Sequence, residues 1–276
     1  TVRILRKPVI ARAVLLGFSE LEAAGDCVGA IIGAGIIPGG MEMMDKPAIR
    51  AAEAFVHAGY PVDAGAILLC ELDGAPESVA ADLVRLRQVL EAHGATGVRE
   101  AASAGERALL WQGRKAAFPA VGRIAPDYYC MDGTIPRREL PEVLEAISAL
   151  SEKYQLAVAN VFHAGDGNLH PLILYDANEG DQLERAEAFG AEILELCVAK
   201  GGTITGEHGV GVEKIDQMCV QFTETELSLF HGVKAAFDGT GILNPGKAVP
   251  TLSRCAEFGA MHVHRGAEKH PDLPRF

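Results

Sequence analysis

The chain has 276 residues, 49% of them hydrophobic, with a formal net charge of −12 and a sequence pI near 5.2. That length supports one large domain or two small ones, and the charge argues against nucleic acid or an anionic membrane surface as a direct partner. Six cysteines without a C-x-x-C pair favour reduced thiols over a disulfide framework, and the most apolar run, Val28 to Ile37, falls short of the roughly 20 residues that span a bilayer, so a soluble, cytoplasmic protein is expected, at most peripheral to the inner face of the membrane.

The opening Thr1-Val-Arg-Ile-Leu-Arg-Lys-Pro8 reads as a strand already in progress, so the chain reads as part of a longer one. A strand is expected near residues 9–18, then a helix opened by Ser19-Glu-Leu-Glu22, a capping-box pattern, and ending near Gly33 to Gly35. Gly33-Ala-Gly35-Ile-Ile-Pro38 carries part of a dinucleotide fingerprint, but Pro38 replaces its third glycine and the run follows a helix instead of a strand, so no dinucleotide site is expected there. Gly39 to Asp45 reads as a strand, Pro47 to His57 as a helix and Ala66 to Leu72 as a strand. Pro76 to His93 makes an amphipathic helix with Val79, Leu83, Leu86 and Leu90 on one face, and Val98-Arg99 begins another strand. The second half repeats the rhythm, with a strand at 126–134, a helix at 136–154, a hairpin at 156–175, a helix at 181–200, a strand at 203–206 and a helix at 223–237. The order predicts an α+β fold of ferredoxin-like halves, forming an antiparallel sheet covered by helices on one face. Residues 251–276, with His262, His264 and His270 among Pro, Gly and charge, read as a solvated tail.

The hairpin carries the chemistry. Two β-favouring runs end in His163 and begin at His170, and between them lies Asp166-Gly167, the sequence of a two-residue turn. With that turn His163 faces His170 across the ladder, on one face and with Cβ atoms roughly 5 Å apart, which suits two imidazoles on one ion. A one-residue slip would separate them. Downstream, Gly206-Glu207-His208-Gly209 brackets an acid and an imidazole with glycines, as where backbone bends sharply or passes close to a ligand. Glu207 completes a His, His, Glu set of the open kind that suits Zn²⁺, Fe²⁺ or Mn²⁺ acting on a substrate. Adjacent side chains diverge in an extended chain, so His208 is assigned a separate role as general base. The competing structural reading makes His163 and His170 a cross-strand surface pair and Glu207 a solvated loop acid.

These segments, together with Trp111-Gln-Gly-Arg114-Lys115-Ala-Ala-Phe118, Tyr128-Tyr129-Cys-Met-Asp132-Gly-Thr-Ile-Pro136 and Gly241-Ile-Leu-Asn244-Pro245-Gly246-Lys247, resemble the C-terminal substrate domain of FAD-linked 2-hydroxy-acid oxidoreductases. That group holds glycolate oxidases, D-lactate dehydrogenases and D-2-hydroxyglutarate dehydrogenases, and the bacterial glycolate oxidases look nearest. The resemblance covers residues 1–250, leaves 251–276 as a tail, and implies an FAD-binding domain that this chain lacks. It implies His163, His170 and Glu207 as divalent-metal ligands, His208 as the base for the substrate hydroxyl, and Arg114, with Lys115 the weaker neighbour, as the grip on the substrate carboxylate. Asn244, Lys247 and Asn168 would be flavin contacts. Phe118 and Leu172 stand where relatives taking larger diacids can carry polar groups, which favours a small, less polar substrate. The implied partners are a small 2-hydroxy acid, the FAD domain of the same protein and further oxidase subunits. Two rival readings are a metal-dependent hydrolase with Glu207 or His208 activating a metal-bound water, and a non-catalytic assembly module stabilised by metal.

Overall fold

The computed structural model describes residue 4 and residues 7–250, and it divides into two compact units. The first runs to Met131 and resumes from Ile135 to Gly190; the second takes Asp132 to Thr134 and the chain from Ala191 onward.

The first unit opens with β1 (Ile10–Phe18), α1 (Leu21–Gly33), β2 (Gly40–Asp45), α2 (Lys46–Val56), β3 (Ala66–Gly74), α3 (Pro76–Ala92) and β4 (Ala95–Glu100). These strands pair antiparallel in the order β4-β1-β3-β2, the ferredoxin-like arrangement with α2 added between its second and third strands. After α4 (Ala104–Lys115) and α5 (Ala117–Val121), a second half begins with β5 (Asp127–Cys130), α6 (Leu140–Tyr154), β6 (Val158–Phe162) and β7 (Pro171–Tyr175). It joins the first through Met43↔Phe162 and Met44↔Val161, giving one seven-stranded sheet, β4-β1-β3-β2-β6-β7-β5.

The α+β class and the antiparallel sheet match the sequence reading, and helices cover the second face as well. Ala13, Leu15, Met44, Ile67, Leu69, Ala159, Val161, Leu172 and Leu174 share one face and pack against Ala48, Ile49 and Ala52 of α2, Leu110 of α4, and Ala117, Ala120 and Val121 of α5. The alternate residues Val14, Leu16, Phe18, Leu68 and Cys70 are equally buried, and α1 and α3 lie against their strands. The ferredoxin-like helices therefore take one face as expected, while the interposed helices take the other. Strands buried on both faces read as continuous apolar runs, which is the pattern of β1 and β3.

Asp45 ties three elements together. One oxygen caps α2 by accepting Ala48 N–H at 3.1 Å, and the other accepts the backbone and side-chain N–H groups of Asn160 in β6, each at 2.8 Å. Burial pushes its carboxyl up to about 6 in spite of these donors.

Several local expectations change. The Ser19 capping box does not form: α1 is capped by Glu20 without a side-chain hydrogen bond. Helix α4 was not anticipated, although Ser103-Ala-Gly-Glu106 is a capping-box spacing and Ser103 does accept Glu106 N–H at 3.1 Å. In the second unit the strand expected at 203–206 shrinks to a single bridge, Thr134↔Thr203: Ile204 N–H goes to the Gln221 side chain, and Gly206 N–H returns to the Asp132 backbone carbonyl at 2.7 Å while also meeting its carboxylate. Helix α7 (Gln182–Ala199) ends in that unit, which also holds α8 (Met218–Gln221) and α9 (Glu224–Phe237), whose Thr223/Glu226 capping box is complete. Cys27, Cys70, Cys130 and Cys197 are free, but Cys219 is disulfide-bonded, against the reading of six reduced thiols. Residues 251–276 and their histidines lie outside the described residues. No helix among the described residues is long and apolar enough to cross a membrane.

Candidate active-site residues

The hairpin forms with a different register from the expected one. Its ladder pairs Val158↔Ile173, Ala159↔Leu172 and Asn160↔Pro171, and continues to an isolated bridge at His163↔Asn168. The loop is thus four residues, Ala164 to Gly167, instead of Asp166-Gly167 alone. His163 C=O accepts the N–H groups of Asp166, Gly167 and Asn168 at 3.0 to 3.3 Å, closing a tight coil that a two-residue turn could not make. Gly167 sits at φ 74, and a Cβ there would meet Ile135 O at 2.2 Å, so only glycine fits. The slip is two residues, and the side-chain period of a strand is also two. His163 and His170 therefore become diagonal neighbours on the same face, with ring centroids 5.0 Å apart and planes at 82°.

Each ring is held. His170 is buried, with Phe118 of α5 edge-on at 5.8 Å. His163 Nδ1 lies 2.9 Å from Glu42 Oε1 on β2, and Glu42 Oε2 lies 2.8 Å from Arg114 of α4. An ionised carboxylate can only accept, so in the neutral ring Nδ1 carries the proton and Nε2 keeps its lone pair.

Glu42 was missed by sequence reasoning. Its signal is an acid inside the otherwise apolar Met41-Glu-Met-Met44 run of an internal strand, a position where a charge needs a partner. Arg114 is not an ordinary surface arginine, being 6% exposed and paired with Glu42. Helix α4 places it there: Trp111 Nε1 donates to Glu71 at 2.5 Å, Arg107 pairs with the same acid, and Gly113 lets the Tyr60 ring lie where a Cβ would clash at 2.6 Å. Lys115, one position on and so about 100° around the helix, is exposed. Asn168 is 7% exposed, and its Oδ1 has no hydrogen-bond partner among the described residues.

In the second unit the Glu207-His208 loop is built around Asp132, which is fully buried. One carboxylate oxygen accepts Gly206 N–H at 3.0 Å and the N–H groups of Glu207 and His208 at 2.7 Å each, and Thr205 Oγ1 donates to both oxygens. Successive N–H groups converging on one anion form a nest. Lys214, 1% exposed, supplies the counter-charge. The loop is not extended, so the premise that adjacent side chains must diverge fails: His208 Nε2 and Glu207 Oε1 lie 3.9 Å apart, both about half exposed. Sequence reading quoted Asp132 only within a motif and did not single out Lys214. The Asn244-Pro-Gly-Lys247 segment is a turn, with Lys247 donating to Asn244 Oδ1 at 3.4 Å and Ala248 N–H reaching Gly211 O, just beyond the Glu-His loop, at 2.8 Å.

Residues 7–248 match the family model described as FAD linked oxidases, C-terminal domain. The chain is 64% identical over its full length to glycolate oxidase subunit GlcD of Escherichia coli K12, covering 55% of that protein, and 36% identical to the same-named subunit of Bacillus subtilis, of which it covers 52%. It therefore spans about half the length of the curated relatives it matches. A probable mitochondrial D-lactate dehydrogenase of Danio rerio is 26% identical over 90% of the chain. Among solved structures, a p-cresol methylhydroxylase with substrate bound superposes with a TM-score of 0.69 at 15% identity, covering 90% of this chain and 54% of that one. A 4-ethylphenol oxidase of Gulosibacter chungangensis does so at 0.66 and 14%, covering 89% and 55%. Both share the fold.

Proposed function

The chain belongs to the family of FAD-linked oxidase C-terminal domains, and we propose that it is the substrate-handling part of a flavoprotein that oxidises glycolate or a short D-2-hydroxy acid to the 2-oxo acid. The observation that carries this reading is the His163–His170 pair on one sheet face, 5.0 Å between centroids, with Glu42 fixing the first ring. Names of relatives across two enzyme groups, glycolate oxidase and D-lactate dehydrogenase, support the same substrate class.

The donor chemistry fits a divalent metal: two imidazoles, one with its remote nitrogen already anchored, are what Zn²⁺, Fe²⁺ or Mn²⁺ sites use. Glu207 is proposed as the third ligand, presented by the loop that Asp132 holds. The unpartnered Oδ1 of Asn168 fits a donor from cofactor or substrate, and Asn244 and Lys247 are proposed flavin contacts. When bound, the metal supplies Lewis acidity toward the substrate hydroxyl and FAD supplies the two-electron acceptor. His208 takes the hydroxyl proton. Arg114 engages the substrate carboxylate through the guanidinium donors that Glu42 does not use, with exposed Lys115 the lesser candidate.

The test is anaerobic mixing of the full-length protein with glycolate, D-lactate, L-lactate and D-2-hydroxyglutarate while following flavin absorbance. Bleaching by glycolate or D-lactate is expected; a flavin that none of the four reduces would overturn the assignment.

A further inference from the structure

We propose that Glu42 is a positioning residue for the metal site, which selects the Nδ1–H form of His163 and so presents Nε2 as the ligand atom, with Arg114 as its fixed counter-charge. The inference rests on the metal reading above and adds to it a residue outside the ligand set.

The geometry leaves Glu42 little freedom. Backbone bonds bracket the acid and the histidine: Met43 registers against Phe162, one residue from each, and Gly165 N–H donates to Met41 O at 2.9 Å on the other side. Residues 42 and 44 share a face of β2, and 161 and 163 continue a face of β6. Met44↔Val161 fixes those faces as the same one, the face covered by α2, α4 and α5. Arg114 comes from α4 on that side. The acid is 13% exposed at its side chain, and its contacts with the His163 ring and the Arg114 guanidinium, at 2.9 and 2.8 Å, use both of its oxygens. Arg114 meets one of them, Oε2. The second reaches the ring nitrogen whose protonation decides which nitrogen can bind metal. An outer carboxylate of this kind fixes tautomer and ring orientation, and losing it costs about 10–100-fold in metal affinity.

The assay is Co²⁺ titration of the metal-stripped full-length protein, read by the cobalt absorption bands, for wild type, Glu42→Gln and His163→Ala. Glu42→Gln, although destabilised by the loss of Arg114's counter-charge, should still fold and should bind Co²⁺ about 10–100-fold more weakly, whereas affinity within about twofold of wild type would overturn the role while leaving the ligand assignment intact. Wild-type affinity in His163→Ala would instead overturn the metal reading and this role with it. Should Glu42→Gln fail to fold, imidazole ¹⁵N shifts of the metal-free wild type decide the matter. They should report His163 protonated at Nδ1, and an Nε2–H ring would overturn the proposal.

Discussion

The carboxylate of Asp132 accepts the backbone N–H of His208 at 2.7 Å, from a position with no solvent exposure. The same oxygen takes Glu207 N–H, so one buried side chain sets the course of the segment carrying the proposed third ligand and base. Lys214 balances its charge.

Breaking such a buried pair leaves an uncompensated charge and costs about 3–5 kcal/mol, whereas replacing both members by apolar groups is often close to neutral. Asp132→Asn should therefore lose about 3 kcal/mol in urea unfolding. Asp132→Leu combined with Lys214→Met removes the uncompensated charge but leaves the loop N–H groups without their acceptor, so it should recover only part of that stability and no turnover. Full activity in the double variant would show that the nest does not position the loop.

Two glycines give a contrast in backbone terms. Gly167 has φ 74 and an Ile135 carbonyl 2.2 Å from where a Cβ would stand, while Gly209 has φ 84 and open space around it. Gly209→Ala should cost about 1 kcal/mol, the left-handed penalty alone. Gly167→Ala adds a clash with backbone and should cost well over about 2 kcal/mol in the same unfolding assay. Equal costs would place the hairpin loop wrongly.

Asp45 predicts the sign of a pH effect. Its folded carboxyl sits at about 6 against 3.8 unfolded, so between those values the folded state holds more protons and stability falls as pH rises. The stability of wild type relative to Asp45→Asn should be highest below pH 4 and decline by up to roughly 3 kcal/mol on passing through pH 6. A difference that stays flat or grows with pH would contradict the burial assigned to this acid.

Thiol reactivity should follow burial. Desolvation pushes the thiols of Cys27, Cys70 and Cys197 up to about 12, which keeps the reactive thiolate scarce at neutral pH. Among the four free cysteines described, half-buried Cys130 should react first with a disulfide reagent in native buffer, the other three only on unfolding; mass mapping of the modified peptides reads the order.

Most of the fold was legible because its strands and helices announce themselves by period, as in Pro76–Ala92 with Val79, Leu86 and Leu90 buried. What sequence could not supply were tertiary choices. The two-residue register shift came from a loop whose shape depends on Ile135, distant in sequence. The coverage of the second sheet face depends on α2, α4 and α5, of which α4 and α5 follow one another with no strand between them. His163 and His170 survived the register error only because the error was even. The polar partners Glu42, Asp132 and Lys214 stayed hidden because each is defined by what it meets across the fold.

The claim on which the functional account turns is that His163 and His170 hold a divalent metal. Elemental analysis of the purified full-length protein, reconstituted with Zn²⁺ or Mn²⁺ and desalted, should find close to one equivalent in wild type and far less in His163→Ala and His170→Ala. Metal content equal to wild type in both variants, or none in wild type, would contradict it.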